Sequence, residues 1–183
     1  FISSELAAKR LQLLKEGGSH VSRVAVLWNP THVDLEFKEL DMAGRDLGIT
    51  LQSVEARSPE ELDGAFRAIA GGKARALIVV PSRLINHHMK AIAAFALERR
   101  LPAVSMWRSF AEVGGLMTYG PDIGAMIKRT ASHVDRILRG AKPGDLPVER
   151  PTHFELVLNV KTAKALGLTV PQSLLLRADR VIE

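Results

Sequence analysis

Apolar positions along this chain follow two alternating rhythms. Short, nearly unbroken apolar runs such as "RVAVLW" and "ARALIVV" have strand length and composition, and strands of that kind are buried on both faces. "LPAVSM" and "LMTYG" are shorter versions, while "ITLQSVEA" alternates polar and apolar residues. Between these runs the spacing changes to three and four. Leu6, Leu11 and Leu14 mark one side of "SSELAAKRLQLLKEG", as Leu35, Phe37, Leu40 and Leu47 do in "THVDLEFKELDMAGRDLG". Ile123, Met126, Ile127, Val134, Ile137 and Leu138 line "DIGAMIKRTASHVDRILRG". Each pattern predicts an amphipathic helix.

Capping chemistry sharpens the boundaries. "SPEELDGAFRAIAGG" has Ser58 as cap, Pro59 at the first helical position, acids in the first turn and a glycine pair at the end. Ser3 or Ser4 is expected to cap the first helix, with Glu5 in its first turn and Gly17-Gly18 as its stop. Gly48 closes the second helix, and Asp122 caps the last long one. "SRLINHHMKAIAAFALERR" reads as a single long helix and "WRSFAEVGG" as one or two turns.

Strand and helix alternate with short connections, which predicts an α/β fold: a parallel sheet with helices on both faces. Right-handed crossovers then bring the strand C-terminal ends to one edge. Those ends are Trp28-Asn29, Glu55-Ala56, Pro81-Ser82, Met106-Trp107 and Tyr119-Gly120. Ligands of open parallel sheets bind outside that edge. The proline-rich tail from Ala141 holds one strand, "FELVLNV", and a short helix, and does not continue the alternation.

Composition narrows the function. Hydrophobic residues make up 46% of the 183, enough for a real core. The formal charge is +5, but the basic residues are scattered over helix faces, so nucleic-acid binding is not expected. With no cysteine there is no disulfide and no thiolate metal site. His87 and His88 are adjacent and face about 100° apart on a helix, so they do not share an ion. No nucleophile elbow, phosphate loop or dinucleotide fingerprint occurs, so neither enzyme activity nor a cofactor is expected.

The segments "ELAAKRLQLLKE", "RVAVLWNP", "GGLMTYGPD" and "ILRGAKPGDLPVERPTHFELVLNVKTAKALGLTVP" closely resemble bacterial ABC-transporter substrate-binding proteins of the tryptophan/tyrosine-uptake-like type. The resemblance spans nearly the whole chain, and Ile137 to Pro171 is its most specific part. It implies the type I periplasmic-binding-protein fold: two α/β lobes joined by crossover strands and closing on a small solute. The corresponding division is a C-terminal lobe over 3–118 and, over 119–183, a crossover helix, strand and tail that would pack on an N-terminal lobe. It also implies an extracytoplasmic or periplasmic location and an ABC permease as partner. The six apolar side chains of the last long helix would cost on the order of 10 kcal/mol if left in water. A homodimer of this chain is therefore expected, with or without exchange of that helix and tail.

Five residues of the strand-end edge are candidates for solute contact. Tyr119 offers a ring or hydroxyl, or else a structural bond at the crossover. Trp107, with Phe110 nearby, would form an aromatic wall or pack a helix N-terminus on the core. Arg108 would pair a carboxylate or sit solvated. Ser82 would bind a carboxylate at a helix N-terminus or cap that helix. Asn29, before a proline, is extended with its side chain free, or belongs to a turn with Thr31. Two rival readings use the same edge: the effector-sensing domain of a transcription regulator, and a small α/β enzyme.

Overall fold

The computed structural model describes residues 6–18, 21–32 and 36–183. The expected roles of Ser3, Ser4, Glu5 and Leu35 lie outside these residues. The sequence folds into a seven-stranded sheet of order β2-β1-β3-β4-β5-β6-β7. The strands are β1 (Arg23–Trp28), β2 (Thr50–Glu55), β3 (Ala76–Val79), β4 (Ala103–Ser105), β5 (Met117–Pro121), β6 (Phe154–Asn159) and β7 (Arg180–Ile182). The first five are mutually parallel; β6 runs antiparallel to β5, and β7 parallel to β6. The α/β class with a mostly parallel sheet is therefore as the pattern predicts.

Helices cover both faces: α1 (Ala7–Gly17), α2 (Glu36–Leu47), α3 (Leu62–Gly71), α4 (Arg83–His87), α5 (Met89–Glu98), α6 (Arg108–Glu112), α7 (Ile123–Leu138), α8 (Val160–Leu166) and α9 (Gln172–Leu175). Period-two alternation sends Val24 and Val26 of β1, Ile78 of β3, Val104 of β4 and Met117 of β5 to one core, beneath α1, α2 and α9. Ala25 and Leu27, with Leu77 and Val79, turn to the other core, against α3, α5 and α6. The strands had to be apolar throughout because each face meets a helix layer.

Three local readings change. The expected long helix over 83–99 breaks at His88, whose ψ of 14° ends α4 and starts α5. Ser58 stands in the extended cap conformation but makes no cap bond, and α3 begins only at Leu62 after a 3₁₀ turn over Pro59–Glu61. The Ser58 side chain instead hydrogen-bonds the Glu60 carboxyl, which holds that acid below its ordinary value. The tail adds α9 and β7 to the strand and helix read from sequence. It joins the same sheet: β6 pairs with β5 from Met117↔Leu158 to Pro121↔Phe154. The division expected after Thr118 thus falls inside β5.

One charged pair sits in the core. Arg10 of α1 is fully buried and ion-paired with Glu36 at the start of α2, which is equally buried. Arg10 Nη1 also donates to the Tyr119 carbonyl at 3.2 Å, tying both helices to the end of β5. Beside this, Gly120 leaves no room for a side chain, since a Cβ there would lie 2.3 Å from the Met106 carbonyl oxygen.

Replacing Arg10 by Met removes the buried cation paired with Glu36, and urea denaturation should show a loss of about 3–5 kcal/mol. Gly120→Ala should cost about 1–3 kcal/mol in the same assay through overpacking against backbone. A loss well below this range for Arg10→Met would mean the pair is not the anchor it looks to be.

Candidate functional site

Because β1, β3, β4 and β5 are parallel and adjacent, the residues that follow them share one edge of the sheet. Asn29, Ser82 and Trp107 follow β1, β3 and β4 there, with Arg108 at the start of α6, while Tyr119 lies within β5, one residue beyond the level at which β4 ends. Local chemistry then decides what each side chain is able to offer.

Asn29 is not free. Its Oδ1 accepts from the Thr31 backbone N–H at 2.9 Å and from the Thr31 hydroxyl at 2.7 Å, closing a turn across Pro30. Ser82 is buried at the N-cap of α4, where its Oγ accepts from the Ile85 N–H at 3.2 Å. Asp122 caps α7 in the same manner, accepting from the Ala125 N–H at 3.1 Å. Tyr119 alternates toward the core beneath α1, with its ring 6.3 Å from that of Phe154. It shares a shallow recess with Lys9, Leu13, Phe154 and Asp179.

Trp107 and Arg108 come together elsewhere. They line an open recess of about 440 Å³ with Asn86, Met89, Glu112 and Glu155. Pro121 and Ile123, where β5 passes into α7, supply an apolar side. Arg108 is committed to two carboxylates: its Nε lies 3.2 Å from Glu112 and its Nη1 3.7 Å from Glu155. The first pair spans one helical turn of α6, and the second reaches across to β6. The Trp107 indole Nε1 is buried without a hydrogen-bond partner among the described residues. Phe110 is fully buried in the core and does not join the recess.

This geometry separates the five expected residues. Trp107 and Arg108 form a recess; Tyr119 belongs to another; Asn29 and Ser82 shape the loops of the edge. Glu155 was missed because only the antiparallel return of β6 brings it opposite Gly120. Glu112 was legible as the residue four after Arg108, the favoured spacing for a helical ion pair. Arg10 also had a signal: it is a cation on the same side of α1 as Ala7, Leu11 and Leu14, all of them buried. The His87 and His88 rings lie 5.0 Å apart, tilted by 53°. No described helix is long and apolar enough to cross a membrane.

Comparison with known proteins bears on the family and the fold. The profile of a family described as ABC transporter substrate binding protein matches residues 3–182. A tyrosine-binding protein of Clostridioides difficile is 22% identical over 162 residues, covering 87% of this chain and 47% of that one. A solved conserved domain protein from Vibrio cholerae superposes with a TM-score of 0.85 at 25% identity, covering 96% of this chain and 60% of that one. A pneumococcal ABC domain solved in complex with L-Trp also gives 0.85, at 24% identity, with 96% and 62% covered. The chain thus spans about half the length of the curated relative and three fifths of the solved ones. With residues 3–182 matched by that family's profile and folded on a mostly parallel α/β sheet, the chain belongs to the ABC transporter substrate-binding protein family.

Proposed function

We propose that this chain is the C-terminal lobe, with its crossover segment, of the solute-binding component of an ABC importer. It captures a small organic solute such as an amino acid and works outside the cytoplasm with a membrane permease. The observation that carries this reading is the family match over residues 3–182. The relatives' descriptions as a tyrosine-binding protein and as an L-Trp complex support an amino acid as the solute class. Function is capture rather than chemistry. Trp107 and Arg108 stand at the contact surface, with the turn at Asn29 and the cap at Ser82 setting the loop shapes around it. Tyr119 belongs to the same edge through its carbonyl, which Arg10 holds.

The apolar side of α7 fits the same reading. None of its residues is buried, and Ile127 and Leu138 are 63% and 81% exposed. Relatives extend well beyond the matched length, so the other lobe of the family fold is the occupant of this face in the two-lobed protein. When the 183-residue chain is alone, a second copy takes that place.

A thermal-shift panel of the common amino acids tests capture. At least one should stabilise the chain by on the order of 1 kcal/mol when present at several times its dissociation constant, and a flat panel at millimolar concentrations would count against the reading. Light scattering tests the helix face. Mass should rise with concentration toward the dimer, and the double change Ile127→Glu with Leu138→Glu should return it to the monomer. Dimerisation untouched by those changes would place the contact elsewhere.

A further inference from the structure

The recess at Trp107 carries one guanidinium and two carboxylates, a formal excess of one negative charge. From this we infer that the recess receives a cationic nitrogen, the ammonium of an amine or amino acid, and not a carboxylate. The inference rests on the solute-binding reading above and names the end of the solute that this lobe holds. A solute carboxylate entering here would meet an arginine already engaged by Glu112 and Glu155, and would bring a third anion beside them. An ammonium would meet the opposite situation. Its charge offsets the excess, and its N–H groups can donate to carboxylate oxygens that Arg108 leaves underused.

Glu155 is the centre of that offer. Its side chain is only 18% exposed, against 46% for Glu112 and for Arg108. Its distance of 3.7 Å from Arg108 is an ionic contact longer than a direct hydrogen bond, so its oxygens retain acceptor capacity. Trp107 adds an indole face, the best side-chain partner for a cation, in the same recess. Met89, Pro121 and Ile123 give the recess an apolar side for the body attached to the nitrogen. At that contact surface Arg108 acts as a positioning residue: its fork holds Glu112 of α6 and Glu155 of β6 in place.

The test follows the indole N–H signal of Trp107 by ¹⁵N NMR, identified by its disappearance in Trp107→Phe and distinct from that of Trp28. Three probes share a phenyl body: phenethylamine, hydrocinnamate and phenylalanine. Phenethylamine and phenylalanine should move the Trp107 signal saturably and hydrocinnamate should not. Glu155→Gln should weaken phenethylamine about two- to five-fold, the scale of a partly exposed ion pair. Glu112→Gln should weaken it less, and circular dichroism would confirm that both variants fold. A shift by hydrocinnamate and none by phenethylamine overturns the inference, as does a Glu155→Gln variant that binds the amine unchanged. If calorimetry detects an amino acid that leaves the Trp107 signal still, the recess is rejected while the solute-binding reading stands. If neither amines nor amino acids bind, both fall.

Discussion

The structure depends on clothing the same strands from two sides. The strands β1, β3 and β4 present apolar side chains both up and down, and no single layer of helices satisfies that. A parallel arrangement with helical crossovers answers the demand, and it fixes where irregular chain can go. Loops are driven to the two ends of the strands. One of those ends gathers the turn at Asn29, the cap at Ser82, the recess at Trp107 and the close approach of Gly120 to Met106. The site is in that sense a by-product of covering the sheet.

Two arginines show how depth changes the meaning of one functional group. Arg10 lies wholly in the core, where a lone cation would be intolerable, and it is matched by Glu36 and by the Tyr119 carbonyl. Its work is architectural: α1, α2 and the end of β5 share one anchor. Arg108 is half exposed, its ion pairs at 3.2 and 3.7 Å are partly screened, and each contributes little to stability. What Arg108 offers instead is arrangement, since it keeps two carboxylates beside an indole at the mouth of the edge.

Much of this was written in the linear pattern. The unbroken runs at Val24–Trp28 and Ala76–Val80 specified buried strands, and the glycine and proline signals at Gly48, Pro59 and Asp122's turn marked the helix ends. Features that depended on distant partners were less legible. The strand β7 is three residues long and largely exposed, so it has neither a run nor an alternation to betray it. The break at His88 has no glycine or proline to announce it. For Asn29 the sequence leaves a free side chain and a turn with Thr31 both open, and only the folded chain decides for the turn, where the Thr31 hydroxyl and N–H claim its amide oxygen. Glu155 carried no local mark, because only the reversal of chain direction at β6 delivers it to Arg108.

The chain leaves the sheet at Pro121 and comes back at Phe154, and these two passages travel side by side. Their pairing continues past the strand ends, with the Asp122 N–H donating to the His153 carbonyl at 3.1 Å. Farther out, Arg129 of α7 reaches Glu149 and Thr152 on the returning strand-ward segment, at 3.3 and 2.7 Å. Exit and entry are therefore a laced ribbon two strands wide. A ribbon of that width flexes across its flat side and resists swivelling about its long axis. Whatever rides on α7 is thereby moored to the sheet by two chain passages instead of one, at the Pro121 and Ile123 side of the Trp107 recess.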